Sequence, residues 1–261
     1  MIGVALLVLV AGSPAYAGMA DRIAATFDAV ADDLLKVFQP LEGQVLERDG
    51  ERLYLDLGAE AGARVGQEFT VFRKGEVFHH PTTGKVLGRY EDVLGYAQVR
   101  RVLPRLSEAT FVPVPDQPEP RPEDGVRITR GRIRVAVAPV LDLTASDADV
   151  RRVPYLLATL LERSKRFQVV DPLQVSDTLI RENIRIEEIL GRPERSIPLG
   201  RTLEISGWLV PILMRRGTAM YLDTTWVSAI TGTALFSRRD ALQAVTSTEE
   251  QRFPWEPLPE D

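Results

Sequence analysis

QVLERDGERLYLDLGAEAGARVGQEFTVFR, Gln44 to Arg73, is the stretch on which the fold turns. Leu53, Leu55 and Leu57 alternate with Arg52, Tyr54 and Asp56. A period of two puts the two sets on opposite faces of a strand, so RLYLDLG reads as half-buried. Asp49-Gly50 ahead of it is a hairpin signal, because tight two-residue turns need positive φ, which glycine adopts without steric cost. GAEAGARVG then reads as a glycine-punctuated turn. A further strand runs through Phe69, Val71 and Phe72, with Lys74-Gly75 as the next tight turn.

Downstream, KVLGRYEDV, LGYAQVRRVLP and EATFVPV read as three more strands. Six short strands between glycine turns, with no helical period, predict a small all-β barrel over 41–114. Upstream the period changes. ADRIAATFDAVADDLLKVF carries Ile23, Phe27, Val30, Leu34 and Val37 at alternating spacings of four and three, which is one stripe of an amphipathic helix over 19–39. Such a stripe must bury against something. Packing on its own domain and docking to a partner or second copy both satisfy it. Pro40 ends the helix.

The first residues, MIGVALLVLVAG, are apolar and uncharged, and Ala15-Tyr16-Ala17 supplies a small-x-small cleavage pattern. That is the profile of a signal peptide over 1–17, although no positive residue precedes the run, which leaves room for an upstream start. A buried N-terminal helix is the competing reading. No cysteine follows the run, so a lipid-attachment signal is not expected.

PVPDQPEPRPEDG, Pro113 to Gly125, combines five prolines with acidic residues. It has little to bury and is stiffened toward polyproline II, so 115–130 reads as a linker. Beyond it the class changes. RIRVAVAPVLDL reads as a buried strand. VPYLLATLLERSKRFQVVDP reads as a helix and a second strand, with a helix following Asp171-Pro172. IEEILGRPERSIPLGRTL reads as helix, loop and short helix. Three strands then follow, with turns at Arg216-Gly217 and Thr231-Gly232. This order predicts an α/β sandwich with helices on a mixed sheet over 131–240. The Pro-rich, acidic 241–261 reads as a mobile tail. The expected class is therefore α+β in two domains, a barrel followed by the sandwich.

Composition removes several functions. The net charge is −5 and the 32 Lys and Arg residues are scattered, so nucleic-acid binding is not expected. Hydrophobic residues make up 44%, enough to build packed cores. With no cysteine there is neither a disulfide framework nor a thiolate nucleophile or ligand. The only histidines, His79 and His80, open HHPTTGKVLG. Neighbours on a strand point to opposite faces and do not easily chelate one ion, and Pro81 and Gly84 make the segment a turn. In DLTASDADVRR the glycine and closing Glu of a calcium loop are missing, and Asp147 or Asp149 reads as a helix N-cap. GAEAGARVG lies between strands with no helix to receive a phosphate. No nucleophile elbow occurs, and no pair of carboxylates stands out. No enzyme activity, cofactor or metal is expected.

Two resemblances bear on function. LYLDLGAEAGARVGQEFTVFR, PTTGKVLG and GYAQVRRV resemble the C-terminal domain of flagellar assembly protein T over about 41–114. RIRVAVAPV, RFQVVDP, LEISGWLV and VSAITGTAL resemble the TolB N-terminal and CsgG-like α/β domain over about 131–240. The flagellar family carries both domain types, in the opposite order. The resemblance implies a periplasmic, non-catalytic scaffold of the Gram-negative envelope, peripheral to the membrane at most, whose partner is an envelope complex of flagellar or cell-wall machinery, with flagellar basal-body assembly as the specific candidate. An accessory regulator of a peptidoglycan- or polysaccharide-handling complex is the alternative, and an enzyme with unrecognised carboxylates the third reading. The contact candidates are Phe78 and Tyr90 in the barrel hairpin, and Trp208 and Trp226, for which core packing is the competing role. Oligomeric state is left open.

Overall fold

The computed structural model describes residues 18–144 and 148–243. The expected signal peptide, Asp147 and the tail from 244 onward lie outside the described residues. The fold is α+β, with two separate sheets and helices.

Strands β1 (Leu41–Asp49), β2 (Arg52–Leu55), β3 (Glu68–His79), β4 (Val86–Val102), β5 (Ser107–Pro113) and β6 (Gly125–Ile128) close in the order β1-β2-β5-β4-β3-β6. The alternation that predicted the strands fills this barrel: Leu53, Leu55, Phe69, Val71, Ala97 and Val99 all point inside. The first turn is made by Gly50 and Glu51 between paired Asp49 and Arg52. Only Gly50 has positive φ, +59°, as at the first position of a type II′ turn.

Three expectations change. Lys74-Gly75 is not a turn. Lys74 pairs with Glu91 and Val77 with Arg89, so β3 carries one extra residue there. This is a bulge, the other common meaning of a glycine in a strand. KVLGRYEDV and LGYAQVRRV are one continuous strand, β4. The sixth barrel strand comes instead from the segment expected as a linker. β6 pairs with β1 on one side and β3 on the other, giving its short backbone a full set of partners. The Pro-rich run ahead of it is tied down as well. Asp124 takes a bidentate pair from Arg73, at 2.8 and 2.7 Å, and Val45 N donates to Asp124 O. A single 3-10 turn, Ala59–Ala61, also interrupts the all-β region.

The second sheet contains β7 (Ile133–Val137), β8 (Leu141–Asp142), β9 (Phe167–Val169), β10 (Gly207–Arg216), β11 (Ala219–Ser228) and β12 (Ala234–Ala241). Its order is β12-β11-β10-β7-β9, parallel across β10-β7-β9 and antiparallel across β12-β11-β10, with β8 parallel alongside β10. Helices α3 (Pro172–Arg181), α4 (Ile186–Gly191) and α5 (Pro193–Thr202) cover one face through Val175, Leu179, Ile189 and Leu199. Helices α1 (Met19–Val37) and α2 (Val153–Arg163) cover the other.

The position of α1 resolves its stripe. Ile23, Phe27 and Leu34 are buried in the core of the second sheet, beside Leu157, Leu161 and Trp226. The helix that precedes the barrel in sequence therefore packs on the layer that follows it. The barrel sits in the chain between two parts of one α/β layer. The chain after β12 also returns to α1: Gln243 N donates to Thr26 Oγ1, and Arg22 donates to Gln243 O. Residues 241–243, expected as part of the tail, are thus anchored. Asp149 does not cap α2, whose N-cap position is Arg152. Asp149 accepts instead from Arg151 N, at 3.1 Å.

Candidate protein-contact site

Beyond the barrel, β3 and β4 continue as a two-stranded arm. β6 pairs with β3 only over Thr70–Phe72, and β5 pairs with β4 only from Gly95 onward. The outer part of the hairpin is therefore paired only with itself among the described residues. The bulge at Lys74–Val77 bends it where it leaves the barrel, since an extra residue increases local twist.

The arm carries apolar side chains with nowhere to bury. Tyr90 is 62% exposed, Val86 57% and Leu87 54%. Phe78 is half-buried, lies across Gly88 and packs against Tyr90 with ring centroids 5.2 Å apart. This cross-strand aromatic pair stiffens the hairpin. Arg127 pairs with Glu91 at 2.6 Å and stacks over Phe72, which fastens the base of the arm to the barrel.

Both sequence candidates in this hairpin, Phe78 and Tyr90, lie on the arm. Trp208 and Trp226 do not lie on the surface. Trp208 is buried under α3–α5, and Trp226 is buried on the opposite face under α1. Their large apolar rings fill the two cores, so as exposed contact residues both are corrected.

The histidine pair closes the arm. His79 ends β3, and His80 N donates to Lys85 O while Gly84 N donates to His80 O. The His80 ring is more than a bystander. Its Nδ1 accepts from Thr82 N and Thr83 N, at 3.2 and 3.3 Å, so the imidazole holds the tip much as an Asx side chain would. Gly84 has φ +65° with no atom near an added Cβ. Gly84→Val is accordingly expected to strain the tip by about 1 kcal/mol and leave the barrel intact, because the tip lies outside it. Amide exchange of residues 80–85 should rise while that of β1 and β5 stays unchanged. Loss of protection in the barrel strands would show the tip to be integral to the barrel.

A second polar feature was not visible in the sequence. Glu68, at the start of β3, is half-buried between the barrel and the second sheet. Ser228 Oγ donates to its Oε1 at 2.8 Å, and Gln98 Nε2 and Thr231 Oγ1 donate to Oε2 at 2.8 and 3.0 Å. Burial pushes the Glu68 carboxyl up, against these donors and the charge of Arg100. Tyr96 beside it is also raised, first by burial and then by the Glu68 charge. A cleft of about 140 Å³ opens next to Glu68, walled by Phe38, Trp226, Tyr96, Arg127 and Arg132. In a strand pattern Glu68 reads as an ordinary outward polar position, and only the apposed β11–β12 turn buries it.

Comparison with known proteins adds little to this geometry. No family model matches the chain, so the two expected family resemblances gain no support. An uncharacterized protein of Aquifex aeolicus is 37% identical over 83 residues, covering 32% of this chain. The chain spans 16% of that relative's length. Among solved structures, the LpoB C-terminal domain from Escherichia coli is similar at TM-score 0.37 and 17% identity, over 44% of this chain and 85% of that one. Lipoprotein GNA1162 from Neisseria meningitidis is similar at TM-score 0.36 and 15% identity, over 46% and 86%. At such scores no argument about role rests on either.

Proposed function

We propose that this chain is a non-catalytic binding protein of the Gram-negative cell envelope, an accessory factor of a peptidoglycan- or polysaccharide-handling complex. The barrel and the α/β layer serve as two modules, and the β3–β4 arm is the contact element. The observation that carries the binding role is the arm itself: an ordered hairpin, anchored at its base, that holds Val86, Leu87 and Tyr90 in solvent. Clustered exposed apolar groups on a stiff element are what a partner surface needs, because little ordering entropy is lost on docking. The envelope location is supported by the apolar N-terminal run and its small-x-small pattern. Among the described residues, no helix is long and apolar enough to cross a membrane.

The junction cleft bears on the third reading, an enzyme with carboxylate chemistry. Glu68 is the one carboxylate in its lining, and its oxygens are taken up by Gln98, Ser228 and Thr231. The paired, spaced carboxylates that glycoside chemistry needs are not brought together there. The flagellar role implied by resemblance is not carried forward, because no family model matches.

The test is cross-linking and affinity capture from envelope extract, with the full chain and with Val86→Ser/Leu87→Ser, which leaves the Phe78–Tyr90 pair in place. Both side chains are exposed, so melting should move by no more than about 0.5 kcal/mol. Recovery of a cell-wall or polysaccharide synthase should fall by about tenfold or more, as for loss of central apolar anchors. Undiminished recovery by the variant would remove the arm from the reading. Recovery of flagellar ring proteins instead would remove the cell-wall assignment.

A further inference from the structure

The described chain leaves the α/β layer beside an apolar groove. Gln243 lies against the first half of α1, where its N donates to Thr26 Oγ1 at 3.0 Å and its O accepts from Arg22 Nε at 3.0 Å. Further along α1, Val30, Leu34 and Val37 form one wall of a groove of about 180 Å³. Phe236 of β12 and Val65 of the barrel supply the rest of its apolar lining, together with Phe27 below. The loop that carries Val65 sits close against β12, since a Cβ on Gly66 would stand 3.2 Å from both Leu235 O and Phe236 Cβ. The groove is thus the outer end of the seam where α1, the barrel and β12 meet.

The lining is apolar yet open to solvent. Val65 is 58% exposed, and Val37 and Phe236 are half-buried. The charges at the rim are already paired. Asp33 meets both Lys36 and Arg238, at 2.7 and 3.1 Å. What the groove leaves to be covered is apolar surface.

We propose that this groove is the docking site of the chain's own residues 253–258, FPWEPL, with the Trp255 ring as the group that fills it.

Reach and starting point select this occupant. Thr26 to Leu34 is about 12 Å along the helix, at ~1.5 Å per residue. Trp255 follows Gln243 by twelve residues. Such a stretch extends to about 40 Å, well beyond the groove. A segment tethered this closely meets its site at about millimolar effective concentration, so a weak affinity is enough. A second copy carries the same segment, but the tether favours the chain's own at any lower protein concentration.

Composition selects it as well. After Val245, the large apolar side chains of 244–261 are Phe253, Trp255 and Leu258. A groove of about 180 Å³ is close in size to the ~150 Å³ apolar cavity that admits one benzene ring. Pro254, Pro257 and Pro259 restrict the chain around Trp255, which lowers the entropy lost on docking. In the polyproline geometry that they favour, residues three apart share a side and stand about 9 Å apart. Trp255 and Leu258 have that spacing. Val30 to Val37 offers about 10 Å of α1 to match it. Docking there seals the seam between α1, the barrel and β12. The inference does not rest on the partner proposed for the arm, because no residue of the arm lines the groove.

The experiment uses the full chain labelled with fluorotryptophan, whose three tryptophans give three fluorine resonances. The Trp255 resonance is the one absent from Trp255→Phe, and its reference is the free peptide of residues 249–261. In the chain it should stand apart from the peptide position. It should also show about a third or less of the peptide's solvent isotope shift, because pockets bury ~70–90% of what they hold. Dilution by about tenfold should change neither, as for a tethered site. Val65→Glu places a carboxylate at an exposed position of the groove. It should return the Trp255 resonance to the peptide position and leave that of Trp208, on the opposite face of the sheet, in place. Leu258→Ser alters only the docking segment, and should move the Trp255 resonance toward the peptide position with the groove intact. A wild-type Trp255 resonance that coincides with the peptide's would overturn the proposal, as would one that either variant leaves unmoved. A resonance that shifts on dilution would assign the groove to a second copy and overturn docking within one chain.

Discussion

Trp226→Ala is expected to cost about 3–5 kcal/mol of unfolding free energy, the range for truncating a buried Trp or Phe. The ring is buried and stands 4.4 Å from Phe38, 5.5 Å from Phe167 and 6.3 Å from Phe236, centroid to centroid. These partners come from the end of α1, from β9 and from β12, so one side chain joins three elements distant in sequence. Phe38 is also the residue whose carbonyl Arg166 holds where the chain crosses into the barrel, and the loss should reach the attachment of the barrel. Urea unfolding followed by near-ultraviolet circular dichroism measures it. A change below about 1 kcal/mol, the cost of a surface substitution, would mean that α1 does not dock on the sheet as described.

Gly125→Val should destabilise the barrel by about 1–3 kcal/mol or more, as overpacking does. A Cβ at Gly125 would stand 2.4 Å from Cζ of Phe72. The Phe72 ring cannot retreat easily, since it is buried and covered by Arg127 at 4.3 Å. Gly125 pairs with Gln44 on one side and Phe72 on the other, so the backbone of β6 is held from both sides as well. Gly131→Val provides the contrast. Its Cβ would meet nothing nearer than Thr129 Oγ1 at 3.5 Å, and a change within about 0.5 kcal/mol is expected. Thermal melts of the two variants decide between a strand and a linker, because a linker would tolerate both.

The expected binding residues divide along physical lines. Phe78 and Tyr90 flank a turn, and a hairpin that outruns its neighbouring strands leaves side chains exposed. Trp208 and Trp226 belong to strands whose alternation is two-sided. With helices on both faces of the sheet, neither parity reaches solvent. Glu68 carries no mark in QEFTVFR, where it alternates with apolar positions as a solvent-facing residue would. His80 was legible as part of a turn, but its acceptor role depends on a ring orientation that sequence does not encode.

What the sequence by itself determined was local. Period two over Arg52–Leu57, the four-three stripe of α1, and the positive-φ turns at Gly50, Gly217 and Gly232 were all readable, because side-chain alternation and backbone sterics act within a few residues. What only the tertiary structure decided was which surfaces meet. A stripe states that α1 must bury, not that it buries on a layer completed after the barrel. GVRI after five prolines has no strand pattern of its own, and becomes β6 because β1 and β3 each leave an edge open to it. Glu68 is a surface glutamate until the β11–β12 turn closes over it. In each case the deciding energy is desolvation and hydrogen bonding between segments far apart in the chain, a property of their meeting and not of either segment alone.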